Sequence, residues 1–583
     1  MPGASCRSSQ AAEQPRQDCH ALRVARVIVP FPCMGPTTSS HALMLRRALA
    51  ALLLACALPS GTVIAGQEPP PTDASEALRL RVELMRAEGH IEVAGDTVSA
   101  EPVAAFYESR GFMPAWRAAD RAAILLDAVA AMESDGLDPA DYHAHALRSF
   151  VAVRPRTAAD SAAFDLLLTS AVHRIAHDLG RGRVDRSLLD ASWAIDGSEP
   201  SPDGSHLATI IDTDDLRAAI DALRPRHAIY LGLRDALATY RAIRDSGGWP
   251  VMPDGPTMRR DSVAGPIALL RRRLTIEGFI ELSPEAGPPA FDETLETAVR
   301  AFQHTHGLNE DGIVGRATLA ELNVTVERRI DAIRVNMERA RWILPGLADR
   351  FVATNIAGQK VYFVDRGEVV FETRAIVGTS YTRTPVFADT MRYIVINPTW
   401  TVPRSINGEI LSAMRSDPSY LTTRDIVVID RAENRVDPTT IDFSAYTGAT
   451  FPWVFRQSPG PVNPLGRIKF MFPNRYGVYL HDTPGRSQFE REQRTFSHGC
   501  IRVEDPFRLA ELVLAGQEGG DQASLMRIVA DGRIATIRLE RPLPVLLLYW
   551  TAASDLHGEV HFYRDIYGRD GAVLSALHAP ALR

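Results

Sequence analysis

The hydrophobic pattern of this 583-residue chain changes period near Pro345-Gly346, and that change rules out a uniform all-helical or all-β fold. Before it, apolar residues recur at three- and four-residue spacing, as in Ala122 to Leu126 followed by Val129, Ala130 and Met132, the pattern of helices buried along one side. After it, Phe351 to Ile356, Lys360 to Val364 and Glu368 to Phe371 alternate or run β-branched, and turns at Ala357-Gly358 and Arg366-Gly367 join them as hairpins. The reading is a multidomain α+β chain, helical first and β-rich (sandwich-like) afterwards. At about 150 residues per domain the length predicts roughly four units.

Loop compositions place the boundaries. Residues 67–255 form a helical scaffold in which Asp120 is expected to cap a helix and Ser134-Asp135-Gly136 and Gly180-Arg181-Gly182 to break others. Gly247-Gly248-Trp249-Pro250 and Pro253-Asp254-Gly255-Pro256 end that region. Residues 256–325 then read as a three-helix module, 326–346 as a connecting helix, and 347–583 as the β-rich domain, with further strands over 392–397, 468–472 and 476–480. From Arg404 to Gln457 the strand signal lapses, apart from a helical patch at Ile410 to Met414; a stretch that long suggests a functional lid.

Composition narrows the function classes. Hydrophobic residues make up 45% and charged residues 23%, the balance of a soluble globular chain. A net charge of -7 with both signs mixed throughout offers no basic stripe for phosphates, so nucleic acid is not an expected partner. Residues 1–66 read as a leader: Met44-Leu45-Arg46-Arg47 precedes the apolar run Ala48 to Leu58, too short for the about 20 helical residues a membrane span needs. Val63-Ile64-Ala65 before Gly66 suits ordinary signal cleavage, and Leu53-Leu54-Ala55-Cys56 suits lipidation with membrane anchoring. Either exit implies export. Cys6, Cys19, Cys33 and Cys56 lie inside this leader, which leaves Cys500 as the one cysteine of the mature chain. An unpaired thiol in an oxidising compartment is a candidate nucleophile or an inert buried side chain.

Local sequence decides between those two. His481-Asp482-Thr483-Pro484 closes a strand, and Ser497-His498-Gly499-Cys500-Ile501-Arg502 follows it closely. An ordinary cysteine is only a few per cent thiolate at neutral pH, so a working one needs a base or a positive charge beside it, and histidine is the natural base. A glycine before the nucleophile permits a tight turn and leaves main-chain N–H groups free to face an oxyanion. His143 with His145 and His173 with His177 lack partners for a metal set and are read as packing or surface residues; no metal is expected.

These residues resemble the active-site motif of the L,D-transpeptidases with a YkuD-type catalytic domain. The likeness runs from about Arg350 to the end and includes Asn397-Pro398-Thr399-Trp400, Val402-Pro403, Asn463-Pro464-Leu465-Gly466, Tyr549-Trp550-Thr551-Ala552 and Asp565 to Asp570. Ala298 to Gln303 with Gly307, Asp311-Gly312, Gly315, Thr318 and Leu322 resembles the peptidoglycan-binding-domain family. With the helical region, the whole is similar to the large proteobacterial subgroup of these enzymes. The resemblance implies Cys500 as nucleophile and His481 as general base. Asp482 would orient the imidazole through its carbonyl. His498, Gly499 and Cys500 would supply the oxyanion pocket, Ser497 would help to orient it, and Arg502 would hold the motif or a substrate carboxylate. Trp400 and Tyr479 are expected substrate walls. It further implies 3-3 crosslinking between peptidoglycan stem peptides, a tetrapeptide donor and a diaminopimelate acceptor, in the periplasm, without a cofactor, with carbapenems as covalent inhibitors.

Overall fold

The computed structural model describes residues 73–99, 101–186, 189, 193–194, 204–263, 265–281 and 290–579, so the leader expected over 1–66, with Cys6, Cys19, Cys33 and Cys56, lies outside the described residues. A helical N-terminal region and a peptidoglycan-binding-like module precede a β-rich C-terminal domain. In the first region α1 (Ala119–Ala131), α2 (Ala158–Arg181) and α3 (Ala228–Asp245) are three of the helices that pack around one apolar core. Asp120 does not cap α1. Ala118 holds the cap position without a side-chain bond, and Asp120 lies in the first turn, where a carboxylate complements the helix dipole. The Thr157 hydroxyl and Asp160 carboxylate form a reciprocal capping box at α2, with Asp160 N–H donating to Thr157 Oγ1 at 3.0 Å. His143 is buried against Ser170 Oγ at 2.9 Å, a packing role.

The module consists of α4 (Ile267–Ile276), α5 (Glu293–Thr305) and α6 (Arg316–Leu322) around its own apolar core of Leu270, Leu274, Leu295, Val299, Phe302 and Leu322. Gln303 closes its turn by donating to Asp311 Oδ1 at 2.8 Å and accepting from Gly312 N–H at 2.8 Å. The connecting helix α7 (Val326–Ile343) is buried nearly all round: Arg339, Arg341 and Glu338 have essentially no exposure. Arg341 Nη1 lies 2.7 Å from Glu338, and Arg339 Nη1 lies 2.7 Å from Asp570. Asn336 Oδ1 accepts from Thr551 N–H at 3.0 Å, so the Tyr549-Trp550-Thr551 tail motif is where the catalytic domain grips α7.

The β-rich domain begins with the hairpins β1 (Phe351–Asn355), β2 (Lys360–Asp365) and β3 (Glu368–Gly378), continues through β4 (Val386–Ile396), and carries an insertion with β5 (Trp400–Thr401), α8 (Asn407–Ser416), β6 (Ile426–Ile429), β7 (Arg435–Val436) and β8 (Val454–Gln457). It returns in β9 (Ile468–Met471), β10 (Leu480–His481), β11 (Thr495–Ser497), β12 (Ile501–Val503) and the long β13 (Ala535–Leu548). Strand order runs β9-β10-β12-β3-β2-β1-β13-β4, and β4 also pairs with β9, so the mixed sheet closes on itself. The strand expected over 476–480 is short: Asn474 caps a turn through Tyr476 and Gly477, accepting from Tyr476 N–H and Val478 N–H, and pairing starts at Leu480.

Both faces of this sheet are covered. Val352, Val545 and Leu547 point into the domain's own core, while Phe351, Ala353, Leu546 and Leu548 belong to the core shared with the helical region. Strands buried on both sides read as continuous apolar runs, which explains Val545-Leu546-Leu547-Leu548. The 404–457 stretch is not an open loop. Its strands β7, β6 and β8 form a four-stranded sheet with the flanking β5, beside an apolar core of Ile410, Leu411, Val428, Phe451 and Phe455.

Candidate active site

The site lies on one face of three neighbouring strands. In the parallel pair β10 and β12, Leu480 faces Ile501 and His481 faces Arg502; in the antiparallel pair β9 and β10, Lys469 faces His481. Leu480, Ile501 and Phe470 are buried in the domain core. Side chains alternate along a strand, so Tyr479, His481, Cys500, Arg502 and Lys469 share the opposite face. Contacts agree: the Tyr479 and His481 rings are 5.6 Å apart, and Lys469 Nζ sits 3.7 Å from the centre of the Tyr479 ring. His481 is therefore diagonal to Cys500, and the Ile501 N–H to Tyr479 carbonyl bond at 3.1 Å fixes that register at the thiol.

Cys500 is half-buried, and its Sγ lies 3.9 Å from the Gly477 carbonyl. Burial raises the thiol's pKa; hydrogen bonding from Tyr479 and the charges of Lys469 and Arg502 oppose that rise. Burial, with Arg502 and then Lys469 as neighbouring cations, lowers the His481 pKa to about 3, against a bond to the Asp482 carbonyl that favours the charged ring. The resting pair is thus a neutral thiol and a neutral imidazole. Arg502 Nη1 donates to Gln488 Oε1 at 2.8 Å.

Asp482 acts with both its ends. Its carbonyl lies 2.5 Å from His481 Nδ1, and its carboxylate accepts from Arg467 N–H at 2.9 Å. Gly466, at φ +60, lies against that carboxylate: a Cβ there would meet Asp482 Oδ2 at 2.3 Å, so only glycine fits. Asn463 completes the Asn463-Pro464-Leu465-Gly466 turn by donating to the Pro398 and Ser458 carbonyls, each at 3.0 Å, which ties the two stems of the insertion together.

The turn before the nucleophile is also tied down. Gly499 has φ +110, a conformation that favours glycine. Its N–H donates to Ser497 Oγ at 3.1 Å and its carbonyl accepts from Thr384 Oγ1 at 2.9 Å, while Ser497 Oγ donates to the Cys500 carbonyl at 2.5 Å. The expectation of a free Gly499 N–H is therefore not met, because the serine hydroxyl takes it. Thr384 N–H in turn donates to Tyr567 Oη at 3.2 Å, and Tyr567 donates to the Gly378 carbonyl at 2.6 Å, which links the C-terminal motif to the active-site turn.

His498 is exposed and pairs with Glu409 of α8 at 2.7 Å, outside the thiol cluster. Trp400 is partly buried against the core of the insertion. Lys469 is the residue that sequence reasoning missed. Its only sequence signal is a charged residue in an otherwise apolar strand, Ile468-Lys469-Phe470-Met471.

Residues 349–526 match the family described as the L,D-transpeptidase catalytic domain. These residues form a YkuD-type L,D-transpeptidase catalytic domain. Residues 101–237 match a family described as "Scaffold domain" and 264–322 one described as "Putative peptidoglycan binding domain". A Haemophilus influenzae protein named "Putative L,D-transpeptidase" is 34% identical over 254 residues, 43% of this chain and 50% of that protein, so the chain spans about half the length of this curated relative. An L,D-transpeptidase structure (residues 123-326) from Xylanimonas cellulosilytica aligns over 51% of this chain and all of that one at 16% identity, with a TM-score of 0.16. Cys500, His481, Asp482 and Lys469 all fall inside the L,D-transpeptidase domain. Peptidoglycan-acting domains indicate an extracytoplasmic location, and among the described residues no helix is long and apolar enough to cross a membrane.

Proposed function

We propose that this protein is a peptidoglycan L,D-transpeptidase that makes 3-3 crosslinks through a thioester on Cys500. The supporting observation is the site face itself: the Cys500 thiol shares a strand face with a buried imidazole and two cations. His481 accepts the Sγ proton as sulfur attacks the carbonyl of the third residue of a donor tetrapeptide. The Asp482 carbonyl, on Nδ1, steadies the imidazolium that forms, and Lys469 and Arg502 steady the thiolate. The C–N bond breaks, the proton on His481 passes to the leaving amine, and D-alanine departs. The side-chain amine of a diaminopimelate on a second stem then attacks the thioester and gives its proton to His481. The Sγ–C bond breaks and the free thiol returns.

With Gly499 N–H engaged by Ser497, the Cys500 N–H is the main-chain donor for the oxyanion. Arg502 and Tyr479 contact donor groups beside the thiol. No cofactor enters, because the energy of the new amide is conserved in the thioester. Carbapenems acylate the same sulfur. The protein works in the periplasm after export, with the leader removed or lipidated. Incubating purified protein with disaccharide-tetrapeptide tests this by mass spectrometry: crosslinked dimers and free D-alanine are expected. Tripeptide without dimers would instead make the enzyme a hydrolase, and unchanged substrate would sink the reading.

A further inference from the structure

Three metal-ligating side chains from two separate units meet at the C-terminal hairpin β14 (Ala552–Ser554) and β15 (Val560–Phe562): His304 at the end of α5, Glu559 in the hairpin turn and His561 on β15. One ligand atom from each lies within 4.8 Å of the others. The two imidazole rings stand 5.3 Å apart at 73°, so they are not stacked. Contacts already pack this junction: the His306 and Phe562 rings are stacked at 5.5 Å, and a Cβ on Gly307 would meet Tyr563 at 2.9 Å.

The hydrogen-bonding state of each histidine is informative. His304 Nδ1 is 2.9 Å from Glu310 Oε1. A carboxylate there fixes the tautomer with Nδ1–H donated and the Nε2 lone pair free, the arrangement that usually stands behind a metal-bound histidine. His561 is 13% exposed, yet neither ring nitrogen is committed. Its Nδ1 is buried without a hydrogen-bond partner, and its Nε2 is 3.7 Å from Glu559 Oε2, beyond hydrogen-bond range. Buried polar atoms are normally satisfied, so a missing partner calls for an explanation. Two ligands on one tetrahedral ion, each bonded at about 2.1 Å, stand about 3.4 Å apart, near the 3.7 Å between His561 Nε2 and Glu559 Oε2. The nearby Lys360 is neutralised by Glu372 at 2.5 Å. His304 and His561 also line a cavity of 370 Å³, which leaves room for a water as fourth ligand.

We propose that His304, Glu559 and His561 bind a divalent transition-metal ion, Zn²⁺ foremost, which clips the three-helix module to the C-terminal hairpin. Two imidazoles with one carboxylate suit zinc, whereas calcium and magnesium require mostly oxygen ligands. The site is independent of the thiol chemistry and does not rest on the function proposed above.

Isothermal titration of ZnCl2 into chelator-treated, full-length protein with Cys6, Cys19, Cys33, Cys56 and Cys500 all replaced by Ser tests it, the substitutions removing the thiols as competing ligands. One ion per chain at micromolar affinity is expected, with a zinc-dependent rise in thermal midpoint. His304→Ala should weaken binding at least about tenfold and abolish the thermal shift, and Glu310→Gln should weaken it about tenfold through loss of the carboxylate behind the ligand. The His304 side chain is 46% exposed, so that variant should fold, and circular dichroism checks it. No uptake by about 100 μM zinc, or uptake undiminished in both His304→Ala and Glu559→Gln, overturns the proposal.

Discussion

At the scale of single residues, the site is a contest between burial and charge. Burial holds Cys500 protonated and His481 neutral, while Lys469 and Arg502 favour the thiolate and oppose the imidazolium. Because the thiol pKa is raised and the imidazole pKa lowered, no ion pair forms at neutral pH in the substrate-free enzyme. The alkylation rate of Cys500 by iodoacetamide should therefore climb about tenfold per pH unit from pH 7 to 9 without levelling off, since only the thiolate reacts. A plateau near pH 6 to 7 would reveal a thiolate–imidazolium pair instead. Lys469→Met removes one of the two cations and raises the thiol pKa further. The rate of acylation should fall by about tenfold, one pKa unit's worth, and Lys469→Arg should restore most of it. Equal rates in Lys469→Met and wild type would remove Lys469 from the site.

At the scale of elements, the insertion between Thr399 and Ser458 is separable from the sheet that carries the thiol. Its apolar core is its own, and Asn463 staples the two stems at its base. Replacing residues 400–457 with a short Gly-Ser linker should leave the thermal midpoint within a few degrees of wild type and reduce transpeptidation at least about a hundredfold, through lost substrate positioning. Unchanged turnover would end the lid reading. Sequence made the hairpins from Phe351 to Phe371 and the helix after Val326 legible, because each carries a local period. Strands Ile426–Ile429 and Val454–Gln457 escaped notice: they are short, stand amid polar turns, and are stabilised by each other across a long stretch of sequence. Lys469 escaped for a related reason. Its meaning comes from standing opposite His481 on the neighbouring strand, which no local pattern records. Asp120 misleads as a cap because the helix starts on a main-chain cap at Ala118, two residues before its first acidic side chain.

At the scale of the whole molecule, the helical region, α7 and the outer face of the catalytic sheet share one core. An isolated 347–583 fragment would expose Phe351, Ala353, Val364, Leu546, Leu548 and Trp550. At about 1.5–3 kcal/mol per large apolar side chain the loss is on the order of 10 kcal/mol, comparable to the entire stability of a domain. That fragment should be insoluble or melt well below the intact chain; a soluble fragment with an unchanged midpoint would show the shared core to be dispensable. The scaffold thus holds the sheet in shape, and the sheet holds the thiol. The most direct test of the proposed chemistry is mass spectrometry of the full chain after brief incubation with a disaccharide-tetrapeptide donor. The account predicts one adduct of donor mass less D-alanine, mapped to the peptide containing Cys500 and absent from Cys500→Ala. An adduct at another residue, or crosslinked product formed by Cys500→Ala, would contradict it.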